Sequence, residues 1–240
     1  MRIQDARFVV LDTETTGTNP EIDRVCDISL VEVSRNGIKP LFNTLVHPER
    51  DIPPTASAIH HITLRDVADK PKFDAIWPTI VQHLEGAIVV AHNARFDRSM
   101  IPETGRPWIC SYRLARHLWP DAPAFGNQVL RYWMDINVQA ESAHSAAGDT
   151  LVTAHVFYRE LAYYRKFVAQ TDQVEDLISY TYSPIPIDVM PFGKHKGEFM
   201  DSIPKSYFSW ALQNVSELDK DLRFAMEQRL KQDVRSTETA

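Results

Sequence analysis

The stretch Phe8-Val9-Val10-Leu11-Asp12-Thr13-Glu14-Thr15-Thr16-Gly17 constrains this chain more than any other. Four apolar residues in a row, two of them β-branched, predict a strand buried on both faces. Two acids close it. Side chains two apart on a strand share a face, so Asp12 and Glu14 aim into one small volume. Like charges that close repel and raise each other's pKa unless a cation lies between them. Oxygen-only ligands at such spacing suit a hard divalent ion such as Mg²⁺ or Mn²⁺. Gly17 ends the run and lets backbone pass close to whatever binds there. The competing reading is a buried strand whose polar end meets solvent, and the rest of the chain decides between the two.

Arg24 to Val33 and Lys39 to Val46 alternate apolar and polar residues around an Arg35-Asn36-Gly37 turn. With the first strand they predict an antiparallel meander. A Pro-initiated helical turn follows at Pro53-Pro54, and Thr63 is the cap of the next helix. Phe73 to Leu84 has helical spacing, with Phe73, Ile76, Trp77, Ile80, Val81 and Leu84 on one face. Ala87 to Ala91 is a second buried strand that ends in His92 and Asn93, then Arg95-Phe96-Asp97. A right-handed crossover makes it parallel to the first and brings its carboxyl end beside Asp12 and Glu14. Trp108 to Ser111 is a further short strand, followed by helices over Tyr112 to Leu118 and Asn127 to Met134. A long helix runs from Ser145 to about Phe167, apolar through Leu151, Ala154, Phe157, Tyr158 and Leu161.

A chain of 240 residues holds one good-sized domain plus a small appendage. The character changes between Gln170 and Ile187, which predicts a domain over 1–169, a linker over 170–186 and a small domain over 187–240. The small domain reads as a hairpin, Val189 to Met200, turning at Gly193-Lys194-His195-Lys196-Gly197, then helices over Lys205 to Asn214 and Leu218 to Leu230. Cys26 and Cys110 sit far apart in apolar runs, as reduced core thiols of a cytoplasmic protein do. No segment is apolar and long enough to span a membrane, and the first strand starts too early for a signal peptide. The net charge of −6 argues mildly against bulk nucleic-acid affinity. Carboxylates that hold cations weaken the objection, because the bound ions reverse the local field.

His144 and Asp149 complete the acidic constellation of Asp12, Glu14 and Asp97. Five residues apart on one helix they would point about 140° away from each other. That places His144 in the loop or cap before the long helix, with Asp149 on it. Asp-Thr-Glu-Thr-Thr-Gly, His-Asn-Ala-Arg-Phe-Asp and His-x₄-Asp, in this order, resemble the three motifs of the DEDDh, or DnaQ-like, 3′–5′ exonucleases. The resemblance covers residues 7 to about 165. A sister subclass has tyrosine where Ser145 stands, so the histidine subclass fits. The proofreading branch usually has glycine where His61 stands and lacks an element like Phe192 to Gly197.

The resemblance implies an α/β fold: a ribonuclease H-like mixed central sheet flanked by helices, here with a small C-terminal α+β domain. It also implies Mg²⁺-dependent hydrolysis at DNA 3′ ends, single-stranded or frayed from a duplex, with two Mg²⁺ or Mn²⁺ ions per active site. Asp12 would bridge both ions, Glu14 and Asp149 complete one site, and Asp97 serve the other. His144 is the expected general base. Thr13 backbone and Gly17 are placed to approach the terminal sugar. His60, Asn93 and Phe96 are candidates for holding the last nucleotides. The alternatives are a helix-end histidine for His60 and a core residue for Phe96. Lys194 and Lys196 either clamp phosphates or cap a solvated hairpin. Trimming of RNA 3′ ends is a second reading, since the same catalytic set serves it. A noncatalytic end-binding subunit is a third, disfavoured by the complete set of acids and histidine. The sequence names no protein partner.

Overall fold

The computed structural model describes residues 1–138 and 145–231. They fall into two compact units, with the chain dividing between Tyr182 and Ser183. In the first, β1 (Phe8–Thr15), β2 (Val25–Ser34) and β3 (Gly37–Leu45) form the expected antiparallel meander. The β2–β3 turn is closed by the Ser34–Gly37 pair, leaving Arg35 and Asn36 at its tip. After α1 (Pro54–His60), α2 (Leu64–Val67) and α3 (Phe73–Leu84), the chain returns as β4 (Ile88–Ala91), parallel to β1. Then come α4 (Ala94–Met100), β5 (Trp108–Cys110), α5 (Ser111–Leu118), α6 (Asn127–Trp133), α7 (Ala146–Tyr163) and α8 (Val174–Tyr182). The sheet order is β3-β2-β1-β4-β5, with β4 and β5 also parallel.

Both faces of this sheet are covered, which is why β1 and β4 read as unbroken apolar runs. Phe8, Val10, Val31 and Val90 pack against Leu114, Phe157 and Leu177 from α5, α7 and α8. Phe8 and Phe157 meet edge to face, 5.1 Å between ring centroids. Phe157 is fully buried, so Phe157→Ala would cost about 3–5 kcal/mol. On the other face Val9, Leu11, Ile28 and Val89 meet Ile76, Ile80 and Leu84 of α3. Both cysteines are free and buried. Among the described residues no helix is long and apolar enough to cross a membrane.

Three expectations need correction. Val81 and Tyr158 are 42% and 50% exposed, each one residue past a buried partner, Ile80 or Phe157. On a helix one step turns a side chain about 100°, enough to carry it off the core face. The stretch 170–186 is not a plain linker: α8 occupies its middle and buries Val174 and Leu177 in the main core. The expected 189–200 hairpin forms as a short antiparallel return: Val189 bridges Phe199, Met190 N–H donates to the Glu198 carbonyl at 2.9 Å and Met200 N–H to the Asp188 carbonyl at 2.7 Å, around a 3₁₀ turn at Gly193–His195. Gly193 and Gly197 take φ of 72° and 86°, which the tight turn requires. The second unit is mainly α9 (Lys205–Asn214) and α10 (Lys220–Lys231), around Phe208, Ala211, Leu222 and Met226.

Candidate active site

The pairing of β1 with β4 covers Phe8 to Val10 and stops there, whereas its pairing with β2 continues to Thr15. The carboxyl end of β1 therefore projects past its parallel neighbour and carries Asp12 and Glu14 beyond it. They follow Phe8 and Val10 on the α7 side by the two-residue period. Both are half-buried. From the end of β4 the chain turns at once into α4, whose first turn carries Asp97, 3% exposed. Thr13 donates its backbone N–H and its hydroxyl to Asp97 Oδ1, at 3.0 and 2.9 Å. Asp149 lies in the first turn of α7, where Ser145 caps the helix by accepting from the Gly148 N–H at 3.1 Å.

Sequence reasoning missed three residues of this neighbourhood. Asp27 is Cα-paired with Glu14 across β1 and β2 and is 5% exposed. Gln128 Nε2 donates to Asp149 Oδ1 at 3.0 Å, and Asn127 Nδ2 donates to the Asp149 carbonyl at 3.0 Å. The one local signal, an acid between Cys26 and Ile28, is masked by the alternation of the strand, in which an acid reads as solvent-facing.

Burial, and then the charges of Asp97, Glu14, Asp149 and Asp27, hold the Asp12 carboxyl well above the usual carboxylate range. Burial, with Asp149, Asp27 and Asp97, pushes Glu14 up to about 7. Burial pushes Asp97 up to about 7 against the two Thr13 hydrogen bonds, which lower it. Burial raises Asp27 to about 6 despite an N–H from Ala146. A pocket of mutually repelling carboxyls fits a cation electrostatically, and its donors are the oxygens a hard divalent ion takes. Among the described residues no three such side chains are drawn into a ready-made cage.

The remaining expected site residues divide. His144 lies outside the described residues. The Thr13 N–H is engaged by Asp97, and the residue is 5% exposed. The close approach at Gly17 is by Asp23: a Cβ there would collide with the Asp23 carboxylate. His60 is a helix-end histidine, 5% exposed. Its Nδ1 accepts from the Ile62 N–H at 3.0 Å and its Nε2 faces Cys26 Sγ at 3.8 Å. Burial lowers its pKa. Asn93 is exposed at the start of α4 and Phe96 half-buried one turn on, so both remain accessible. In the second unit Lys194 and Lys196 are exposed, and Lys194 Nζ sits 5.6 Å from the centre of the Tyr207 ring.

A mixed sheet with acids gathered at the carboxyl edge of its parallel strands defines a nuclease of the ribonuclease H-like fold. The exonuclease family model matches residues 9–157, and the chain belongs to that family, as a DnaQ-like 3′–5′ exonuclease. Within it the chain is similar to exodeoxyribonuclease 10 of Escherichia coli (strain K12), 32% identical over 230 residues, covering 92% of this chain and 97% of that one. The structure of exonuclease X in complex with 5′ overhanging duplex DNA is 35% identical, with a TM-score of 0.60 over 71% of this chain and 99% of that one. The DNA polymerase III epsilon subunit of Treponema pallidum (strain Nichols) is 30% identical over 168 residues, covering 66% of this chain and 78% of that one.

Proposed function

We propose that the chain hydrolyses the terminal phosphodiester at DNA 3′ ends and releases 5′-mononucleotides, using two Mg²⁺ or Mn²⁺ ions. The observation that carries this reading is the convergence of Asp12, Glu14, Asp97 and Asp149, whose charges raise the Asp12 pKa together with burial. The names of the relatives support DNA as substrate: one is an exodeoxyribonuclease, and exonuclease X was solved on a 5′ overhanging duplex.

Asp12, Glu14, Asp97 and Asp149 would hold the ions, with Asp12 as the ligand they share. When bound, the ions would polarise the scissile phosphate, acidify the attacking water and neutralise the departing oxygen. His144 takes the water proton on its imidazole as the water oxygen bonds to phosphorus and the P–O3′ bond breaks. The 3′ oxygen of the shortened strand leaves with a proton from solvent. Gln128 and Thr13 keep Asp149 and Asp97 oriented through the cycle. Asn93 and Phe96 flank the terminal nucleotide. The second unit, with Lys194 and Lys196 exposed, adds phosphate contacts and raises affinity. Two free, buried cysteines support action in the cytoplasm, at ends arising in repair or recombination.

Matched DNA and RNA oligonucleotides labelled at the 5′ end, incubated with Mg²⁺ or with EDTA, test this reading. DNA shortening from the 3′ end with Mg²⁺ alone is expected. Faster RNA trimming would reassign the substrate, and binding without cleavage would make the chain an end-binding subunit.

A further inference from the structure

Asp27 is an acid that the roles above leave unused. It belongs to β2, directly across from Glu14, so the two side chains share a sheet face. A fifth carboxylate beside four others adds repulsion and desolvation, so stability alone is a poor reason for it. Its Oδ2 accepts the backbone N–H of Ala146 at 3.1 Å, across 119 positions of sequence. Ala146 is the first residue of α7, and its N–H is one of the amides a helix start leaves without an internal acceptor. Asp149 follows three residues later, about 4.5 Å along the axis.

We infer that Asp27 is a positioning residue: it pins the first amide of α7 to the strand beside Glu14 and so sets where Asp149 meets the acids of β1. The inference rests on the proposed role of Asp149 as a ligand. Asp149 is then fixed from two directions, through the helix start by Asp27 and on its carboxylate by Gln128. Asp27 needs an acceptor oxygen for this, not a charge. Its Oδ1 is buried without a hydrogen-bond partner among the described residues. An asparagine can keep its oxygen on Ala146 and turn its NH₂ toward the neighbouring carboxylates.

The test compares Asp27→Asn, Asp27→Ala and Asp27→Thr in the full chain. Threonine suits a strand but is too short to reach Ala146. Hydrogen exchange over residues 145–152 is measured without metal, Mn²⁺ affinity by calorimetry, and kcat and KM on a labelled oligonucleotide. Asp27→Ala and Asp27→Thr are expected to speed exchange at the helix start, weaken Mn²⁺ binding roughly 10–100-fold and lower kcat with KM little changed. Asp27→Asn restores protection and most of the rate. If Asp27→Ala does not fold, Asp27→Thr carries the comparison. Loss of Mn²⁺ binding in Asp27→Asn with the helix still protected would make Asp27 a ligand and overturn the inference. So would wild-type exchange in Asp27→Thr. Failure of the wild-type protein to bind Mn²⁺ would instead sink the metal reading, while the exchange data still decide the positioning role.

Discussion

Thr13 gives Asp97 two hydrogen bonds to a single oxygen, one from its backbone and one from its hydroxyl, both at 3.0 Å or less. The pair joins β1 to α4 and lowers a carboxyl pKa that burial nevertheless holds at about 7. Thr13→Val keeps the strand and the backbone bond but removes the hydroxyl. We expect a loss of about 1–2 kcal/mol in stability, weaker Mn²⁺ binding and a roughly tenfold slower single-turnover rate. Unchanged Mn²⁺ affinity would show that the hydroxyl does not orient Asp97.

Without metal, stability should fall as pH rises toward neutrality. Burial and neighbouring charge put Glu14 and Asp97 at about 7 and Asp27 at about 6, with Asp12 also well above its usual range. Unfolded carboxyls titrate near 4, so from about pH 4 to 7 the folded protein binds more protons than the unfolded chain. The slope of unfolding free energy with pH follows protons bound unfolded minus folded, and is negative in this window. The melting temperature in EDTA should therefore drop between about pH 5 and pH 7.5. Saturating Mg²⁺ selects the ionised acids and should shrink or reverse the drop. A metal-free protein more stable at the higher pH would contradict this.

Gly17 is required by Asp23. The Asp23 carboxylate accepts from Thr16 Oγ1 at 3.0 Å, the Asn19 N–H at 2.9 Å and Arg50 Nη1 at 2.9 Å, so it cannot swing away cheaply. Gly17→Ala should cost about 1–3 kcal/mol. In an Asp23→Ala background the same change should cost much less. Equal costs in both backgrounds, together with a raised KM, would return Gly17 to a role at the terminal sugar.

His144 and Asp12 should separate by metal. A general base takes a proton and ligates nothing, so His144→Ala should keep Mn²⁺ and DNA binding while the rate falls roughly 10²–10⁴-fold. The acidic limb of its pH–rate profile should vanish as well. Asp12→Ala removes the shared ligand and should lose metal and activity together. Loss of Mn²⁺ by His144→Ala would make the histidine a ligand.

Much of this was legible because burial and charge conflict openly in sequence. Asp12 and Glu14 stand out at the end of a strand with nowhere polar to go, and Asp97 follows a second such strand. Asp27 was hidden by the same logic, since its strand alternates and an acid there reads as solvent-facing. A bulge between Glu14 and Thr15 shifts the β1–β2 register by one residue, and Val25, Cys26 and Asp27 are all buried around it. Local alternation carries no sign of such a slip. Gln128 was illegible for a different reason: its partner is 21 positions away on another helix. His60 shows the reverse error, where a histidine near a motif looked functional and its ring is consumed by the Ile62 amide and Cys26.

The joints of the site span long stretches of chain: 84 positions from Thr13 to Asp97 and 119 from Asp27 to Ala146. Contacts of such range close late in folding, because loop entropy must be met before they reward it. During synthesis the order is stricter still. A nascent chain that has emerged through β4 carries Asp12 and Glu14 but neither Asp97 nor Asp149, and so half of the proposed ligands. On the proposed reading the activity is therefore withheld until almost the whole of the main unit has been made.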